Sequence, residues 1–579
     1  MEEAMRRRLY PGEDRPEEPE EQSAGFHNLA DQLADGYAGV RALEAGALKA
    51  PADLEWEETQ DDWSIEPNVV ESEGEKDRTK LLFSALGVLL LALIPRLIFL
   101  FVVTDPGVVI PTWSNDTFHH WQVAYLSKEI GFQQGFLRLW DLKGMEYFWG
   151  LLHPLLLAGA FQVTGSVDIM IPRLLSLIAG SLNIVFLYLL GVKYWNERVG
   201  LAIALLTALN PIVIFNDPSG MVEPLGFVFL LAGIYFYPQR SFLAGLLFAL
   251  GAMARAEGWL FSLGLIFAAL ILKGRTNRKL PLVLGWAIPM LLYMRYLFVW
   301  TENPIYPVYW NFLANAAGKW VYRDTYTPYQ LAAKPVLVGA FIMAVIAALW
   351  VLWKKPKGYL LHLLGLGTTA FITGFIGLTA YLTGYETWFW LTRFFAFSYT
   401  YLGVLVAILF MEWLPRRLKA PVGGSLAWAG VGATLLAIQL TWPPVLYDVT
   451  SGYTNQPSKS ILTEYGRIVN EAYEGGVVLI PEDNPQVTYA VVRYGGIAAD
   501  ELLGQMYSPL YYFSGDPFAN WDVVGPQMWQ WLEAEDVSVL VTYPNDSRFQ
   551  QLIAKRPQIF TYVAKLPESP MDVYKVGRQ

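Results

Sequence analysis

The sequence has no cysteine and few charged residues. Of its 579 residues, 16% are charged, 54% are hydrophobic and 5 are histidine. The lack of cysteine excludes disulfides, thiolate metal ligands and cysteine nucleophiles. About one quarter of the residues in soluble globular proteins are charged, so the low charge argues against a soluble enzyme. The net charge of −10 also argues against a nucleic-acid partner.

Long apolar segments are abundant instead. Segments 81–103 and 337–353 are each long enough to cross a hydrocarbon core about 30 Å thick. The first begins after residue 80, behind a long acidic stretch, and is therefore not a cleavable signal peptide. The sequence predicts a polytopic α-helical membrane protein. Its apolar segments lie at 81–103, 148–164, 169–191, 199–215, 222–237, 241–254, 258–272, 280–300, 335–353, 359–382, 389–411 and 422–441.

Lysine and arginine are concentrated in short loops, which marks the cytoplasmic side of a membrane protein. All of these basic loops fall on one side if segment 148–164 lies along the membrane interface instead of crossing it. We therefore expect about eleven transmembrane helices in the cytoplasmic (inner) membrane, with the N-terminus inside and the C-terminus outside. The basic loops are 193–198, 237–241, 273–279, 353–358 and 415–420.

Composition divides the chain into three regions. Residues 1–79 carry 22 Asp and Glu against 8 Lys and Arg, which predicts an acidic, largely disordered cytoplasmic tail. Residues 80–441 form the transmembrane region, with a large first outer loop at 104–168. Residues 442–579 predict a small extracytoplasmic α/β domain. Runs rich in Val and Tyr predict its strands at 476–481, 489–495, 537–543, 561–566 and 572–576.

Two acidic residues lie next to apolar segments on the predicted outer side. Asp116, His119 and His120 are spaced i, i+3, i+4, so they share one face of a helix. Asp116 is either the cap of that helix or a catalytic carboxylate. Glu223 stands at the head of an apolar segment, where a carboxylate is costly unless it has a partner or a function. Because Pro224 suits the first turn of a helix, Glu223 also fits a plain helix start.

A short polar turn at Arg255 and Glu257 lies on the same predicted side. A guanidinium at this position is suited to hold the phosphate of a lipid with two hydrogen bonds. It is equally suited to pair with Glu257, and the sequence does not separate the two readings.

The stretches around these residues resemble the integral-membrane glycosyltransferases of the C-type fold. That family includes protein O-mannosyltransferases, lipid A aminoarabinose transferases and related bacterial enzymes. The resemblance covers about residues 80–275 and rests on WSNDTFHHWQVAYLSKEIG, GLLHPLLLAGAFQVTG, MVEP and ALGAMARAEGW. The sequence departs from the family in two places. Asn115 replaces one acid of the family's acidic doublet, and His153 stands where an aromatic residue is common.

This resemblance implies an inverting glycosyltransferase at the outer membrane face. Such an enzyme moves a sugar from a polyprenyl-phosphate-linked donor to a hydroxyl of a glycan, lipid or protein acceptor. By the same resemblance, Asp116 would deprotonate the acceptor and Glu223 would position it. The residues assigned to the donor and its phosphate are Arg255, Glu257, Lys143, His153 and Arg393.

Alternatives remain open at this point. Histidines beside Asp116 resemble the oligosaccharyltransferase branch of the family, in which a divalent metal binds between outer-loop acids. Asp116, His120 and Glu223 are therefore candidate ligands for Mn²⁺ or Mg²⁺. A transporter or flippase of lipid-linked sugars is the main alternative from another class, and a non-catalytic scaffold is a second. A transporter would need polar residues inside the membrane, and the few candidates are Arg96, Arg173 and Arg295, each of which could also snorkel or pair.

Overall fold

The computed structural model of the chain describes residues 74–105, 107, 114–129, 149–271, 276–309, 311, 328–383, 393, 395–418, 422–443, 458–480, 485–504 and 525–577. The predicted acidic tail lies outside these residues, except for its last few positions. These belong to the first described helix, which begins at Gly74.

The described part of residues 74–443 is helical. It begins with α1 (Gly74–Ile98), which continues as a π-helical turn to Val103, and α2 (Ser114–Glu129). The helices that follow are α3 (Leu152–Thr164), α4 (Met170–Tyr194), α5 (Glu197–Ala208), α6 (Pro211–Asn216), α7 (Glu223–Phe236), α8 (Ser241–Ala254), α9 (Ala256–Ile271), α10 (Thr276–Thr301), α11 (Pro328–Lys354), α12 (Tyr359–Thr383), α13 (Ala396–Ile408), α14 (Leu414–Arg417) and α15 (Val422–Gln439).

Within the described residues, 6 helices are long and apolar enough to cross a membrane. The count is 7 if the bent pair of α5 and the segment 211–219 forms one span. The chain is therefore a multi-pass membrane protein, while the figure of eleven spans stays a prediction. Helix α3 is one of four shorter apolar helices, and its length agrees with the expectation that it lies along the interface.

The bend between α5 and α6 has a local cause. Asn210 caps α6, because its side-chain oxygen accepts a hydrogen bond from Ile212 N at 3.0 Å, and Pro211 occupies the first helical position. The axis turns by 59° at this break. The chain then passes through a 3₁₀ turn and reaches Glu223, so the break directs the polar loop that carries this acid.

A buried ion pair joins the first span to this loop. Arg96 Nε lies 2.6 Å from Asp217 Oδ2, and both side chains are almost fully enclosed. Arg96 Nη1 also donates to the carbonyl oxygens of Ala92 and Ala208. Gly180 of α4 permits the approach, because a Cβ there would lie 2.1 Å from Asp217 Cγ.

The C-terminal region is a five-stranded α/β unit. The strands are β1 (Val477–Ile480), β2 (Leu502–Gly504), β3 (Val537–Thr542), β4 (Phe560–Lys565) and β5 (Asp572–Val576). Their order is β2-β1-β3-β5-β4, with β1 parallel to β2 and β3, and β5 antiparallel to β3 and β4. The helices are α16 (Lys459–Ala472), α17 (Pro485–Arg493), α18 (Gly525–Ala534) and α19 (Ser547–Lys555). A small C-terminal sheet is therefore present among the described residues, while a separate extracytoplasmic domain at 442–579 stays a prediction.

The predicted strand at 489–495 is wrong, because this stretch belongs to helix α17 and the turn after it. A short run of Val, Ala and Tyr is compatible with either a strand or a buried helix. Residues 485–491 are all buried in the helix, so burial on nearly every side removed the periodicity that would have distinguished the two.

Candidate active site

Asp116 lies in the first turn of α2. This N-terminal end of the helix contacts the loop that precedes Glu223. The next residue fixes this contact: Thr117 Oγ1 donates a hydrogen bond to the carbonyl oxygen of Ser219 at 2.8 Å. Gly220 adopts a left-handed conformation at φ +85°, and a Cβ on it would lie 2.6 Å from Thr117 Cγ2. The loop and the helix are therefore in close contact, which brings the two predicted acids together.

Glu223 lies in the first turn of α7 and is followed by Pro224, as the sequence suggested. Asn183 of α4 donates to the carbonyl oxygen of Pro224 at 2.9 Å, which holds the start of α7 against the second span. The Glu223 carboxylate is largely buried, so its negative charge must be compensated by neighbouring cations.

Arg393 connects the two acids. Its Nη1 lies 2.5 Å from Asp116 Oδ2, and its Nε lies 2.5 Å from Glu223 Oε1. The Arg393 side chain is 8% exposed, whereas the Asp116 side chain is 37% exposed. Asp116 is therefore the acid of this pair that a substrate in water can reach.

Arg255 compensates Glu223 from the other side. It stands in extended backbone between α8 and α9, and its Nη1 lies 2.6 Å from Glu223 Oε1. The same guanidinium binds Glu257 with two bonds, Nε to Oε2 at 2.5 Å and Nη2 to Oε1 at 2.9 Å. Arg255 therefore pairs with Glu257, as one of the two readings of the sequence expected. Binding of a phosphate there stays a prediction.

Acidic and basic side chains alternate through the site. In order of contact they are Asp116, Arg393, Glu223, Arg255 and Glu257, and we call this set the charge row. The row contains three carboxylates and two guanidiniums, so its formal charge is −1. Charge-assisted bonds of this kind fix side-chain positions strongly in a partly dry environment. The charge row therefore holds Asp116 and Arg255 in a defined relation to each other.

A narrow groove, partly open to the surroundings, begins at the charge row. Its charged lining is Glu223, Arg255 and Glu257, which stand at the starts of α7 and α9. One or two turns further along these helices and α12, the lining becomes apolar. The apolar lining residues include Phe227, Leu230, Phe261, Phe371 and Ile372. A groove with one charged end and apolar walls suits a lipid with an anionic head.

His119 and His120 of α2 are buried beside this site. The rings of His120 and His153 lie 5.0 Å apart, and Trp149 lies 4.7 Å from His120. Burial lowers the pKa of His119 to about 4, and burial lowers the pKa of His120 well below its usual value. At neutral pH both imidazoles of α2 are therefore uncharged. They supply hydrogen-bonding groups and no positive charge to the site.

Two other predicted donor-site residues remain. Lys143 lies outside the described residues. His153 lies on α3, where its ring packs against that of His120, and its role at the donor phosphate stays a prediction.

The predicted metal ligands are Asp116, His120 and Glu223. In the part of the chain that the structure describes, no group of three or more His, Asp or Glu residues is arranged to hold a metal ion. The guanidinium of Arg393 already lies between the carboxylates of Asp116 and Glu223 and supplies the positive charge there. The described residues therefore do not fit a divalent ion between these two acids.

Sequence reasoning missed two features that shape the site. Asp217 has the local sequence of an ordinary turn, Asn-Asp-Pro-Ser-Gly, but it pairs with Arg96 in the membrane region. Thr117 belongs to no recognisable motif, although its side chain connects α2 to the loop before Glu223. Proximity to Asp116 was the only available signal for Thr117.

Comparison with solved structures identifies the fold. One similar structure is that of ArnT from Cupriavidus metallidurans bound to undecaprenyl phosphate. Its sequence is 12% identical to this chain, the TM-score is 0.50, and the match covers 87% of this chain and 99% of that chain. The oligosaccharyltransferase of Archaeoglobus fulgidus in the apo form is 12% identical, with a TM-score of 0.49, covering 79% of this chain and 69% of that one. Neither a family model nor a curated protein matches the sequence.

The match to ArnT extends over most of both chains, and it shows that this protein has the C-type fold of the integral-membrane glycosyltransferases. The resemblance predicted from the motifs is confirmed at the level of the fold. At 12% identity the comparison concerns the fold alone.

Proposed function

We propose that the chain is a glycosyltransferase that takes its sugar from a polyprenyl-phosphate-linked donor. The observation that carries the proposal is the groove that leads from the charge row between apolar helices. Its charged end is suited to a phosphate and its apolar walls are suited to isoprenoid chains. The ArnT structure of the same fold contains undecaprenyl phosphate, which supports a lipid of this class as the donor carrier.

In the proposed reaction, Asp116 is the general base. Its partly exposed carboxylate takes the proton of the acceptor hydroxyl while the hydroxyl oxygen forms a bond to the anomeric carbon of the donor sugar. The bond from that carbon to the phosphate oxygen breaks on the opposite face, so the configuration inverts. Polyprenyl phosphate leaves with the electron pair, and Arg255 stabilises its charge.

Arg393 and Glu223 support this base. Arg393 orients the Asp116 carboxylate, and Glu223 holds Arg393 through its Nε. The phosphate of the donor is expected to attract Arg393 and so to release Asp116 when both substrates are bound.

The transporter alternative gains no support from the contacts of Arg96 and Arg173. Arg96 was a residue that a transporter would need in its pathway, and it is paired with Asp217 and bonded to two carbonyl oxygens. Arg173, another such residue, donates to the carbonyl oxygens of Pro218 and Asp105. Both arginines therefore have a structural role at the base of the site.

The test is release of undecaprenyl phosphate by the purified protein in liposomes. A panel of undecaprenyl-phosphate-linked hexoses and pentoses serves as donor, and a membrane extract supplies acceptors. Asp116→Asn should lower kcat by about 10²–10⁴-fold, the contribution of a positioned base, with undecaprenyl phosphate binding intact. Glu129→Gln, on the same helix but outside the charge row, is the matched control. Because Asp116 is the third residue of α2 and not its cap, Asn keeps the size and polarity of the side chain there, and near-normal turnover of Asp116→Asn would show that Asp116 is only part of a helix start.

The proposed orientation places the site outside the cytoplasmic membrane. The absence of cysteine allows single cysteines to be introduced into the natural chain. A cysteine at Lys355 should be protected from an impermeant thiol reagent in intact cells, whereas one at Glu568 of the C-terminal region should react. Labelling in the reverse pattern would refute the orientation.

A further inference from the structure

The helix that carries Asp116 is enclosed on all sides. Residues 117–127 of α2 are all buried, although they include Thr117, two histidines, Gln122 and Ser127. A helix with polar residues is buried all round only when other elements cover opposite faces of it. The membrane region covers one face, through Thr117 and Ser219 and through His120 and His153.

The C-terminal region covers the other face, through helix α17. Phe118 and Trp121 of α2 lie 5.2 Å and 4.9 Å from the ring of Tyr489, measured between ring centres. Gln122 donates a hydrogen bond to Thr488 at 3.2 Å. Phe118 and Gln122 are one turn apart and therefore share a face of α2. Two consecutive residues of α17 thus contact the face of α2 that the membrane region leaves open.

Tyr489 also contacts the membrane region directly. Its hydroxyl accepts a hydrogen bond from Ile169 N, 3.3 Å away, immediately before α4 begins. Trp121 donates to the carbonyl oxygen of Val167 at 2.6 Å in the same segment. Tyr489 and Trp121 are both fully buried. One aromatic side chain of the C-terminal region therefore fixes α2 relative to the start of the second span.

We propose that the C-terminal domain is part of the catalytic apparatus and that Tyr489 is a positioning residue for Asp116. This inference rests on the proposed role of Asp116 as the base. Tyr489 packs against the residues two and five positions after Asp116, so its ring sets the tilt and rotation of the first turns of α2. The carboxylate then lies where the acceptor hydroxyl arrives. A base displaced by about 1 Å loses up to about 10²-fold in rate.

A double-mutant cycle tests the inference. Tyr489→Ala should lower undecaprenyl phosphate release by up to about 10²-fold, with binding of undecaprenyl phosphate retained because the groove lies elsewhere. Tyr489→Phe keeps both ring contacts and loses only the hydrogen bond from Ile169 N, so it should lose much less turnover than Tyr489→Ala. In the Asp116→Asn background, Tyr489→Ala should cause no further loss, since the group that it positions has been removed. Tyr562→Ala, at an exposed position of β4 in the same domain, is the control and should change nothing.

Each other outcome is decisive. An equal loss from Tyr489→Ala in both backgrounds means that the residue acts on the fold in general, and the inference is then wrong. Full turnover of Tyr489→Ala also overturns it. If Tyr489→Ala does not fold, as judged by loss of undecaprenyl phosphate binding, Tyr489→Leu preserves apolar volume without the rings and replaces it in the cycle. Wild-type turnover of Asp116→Asn alone would instead refute the proposed function, so the two failures are distinguishable.

Discussion

Asp116 and Glu223 share one guanidinium, that of Arg393, which contacts each carboxylate at 2.5 Å. The two acids belong to different helices, α2 and α7, and Arg393 belongs to a third part of the chain. A single side chain therefore connects three segments at the proposed catalytic point.

Replacing Arg393 is expected to disable the site. Arg393→Gln removes the cation that lies between Asp116 and Glu223 and leaves Glu223 paired with Arg255, and loss of one such electrostatic contact typically costs about 10²–10³-fold in kcat. Arg393→Lys should recover little, because an ammonium cannot reproduce the planar contact of Nε and Nη1 with two acids. Release of undecaprenyl phosphate measures both. Arg416→Gln, which disrupts an exposed pair with Glu412, is the matched control; normal turnover of Arg393→Gln would contradict the role of the charge row.

Removal of divalent metal is expected to leave turnover unchanged. Arg393 supplies the positive charge between Asp116 and Glu223, so no ion is required to compensate these acids. The measurement is undecaprenyl phosphate release after dialysis against a chelator, with and without added Mn²⁺ or Mg²⁺. Loss of activity that Mn²⁺ restores would show that the oligosaccharyltransferase-like alternative is correct.

The Arg96 and Asp217 pair is expected to be required for stability. Arg96→Met leaves a buried carboxylate without its partner, which costs about 3–5 kcal/mol in typical buried pairs. We expect a lower Tm of the detergent-solubilised protein and a loss of undecaprenyl phosphate release. Adding Asp217→Asn to Arg96→Met removes the unpaired charge and should recover much of the Tm. Lys80→Met, which disrupts the exposed pair with Glu197, should have little effect; equal losses in the two single variants would contradict the prediction.

The stability of the protein is expected to fall in mild acid partly because of His119. Burial lowers the pKa of His119 to about 4 in the folded protein, whereas an unfolded histidine titrates near pH 6.5. Between these two values the unfolded state binds the extra proton, so its contribution to stability is complete above pH 6.5 and decreases as the pH falls towards 4. His119→Gln should therefore show a flatter dependence of Tm on pH over this window. Parallel curves for the two proteins would show that His119 titrates normally.

Local sequence signals pointed to four of the five members of the charge row, and Arg393 was assigned only by the family resemblance. Glu223 was recognisable because an acid at the head of an apolar segment is costly, and Asp116 because it shares a helix face with two histidines; both lie in first turns of helices. Pairing of Arg255 with Glu257, two residues apart, was one of the two readings that the sequence left open. The contacts of Arg393 were not predictable, because they join residues far apart in sequence and depend on how the helices pack.

The remaining differences have similar causes. Asp217 has the local sequence of a turn, and it is in a turn, but its partner Arg96 is 121 residues away and no periodicity indicates such a pair. The stretch 489–495 was expected to be a strand because its residues favour strands, but packing against α2 placed it in a helix. In both cases tertiary contacts decided what local preference left open.

The ion pair between Arg96 and Asp217 also sets an order of events during synthesis. Arg96 enters the membrane with the first span, while its partner is still 121 residues from being translated. At roughly 5–20 residues per second, this interval is on the order of ten seconds. During that time we expect the arginine side chain to extend towards the water interface, because an unpaired charge in hydrocarbon is costly. The ion pair that anchors the first helix is therefore expected to form only after the loop leading to Glu223 has been synthesised.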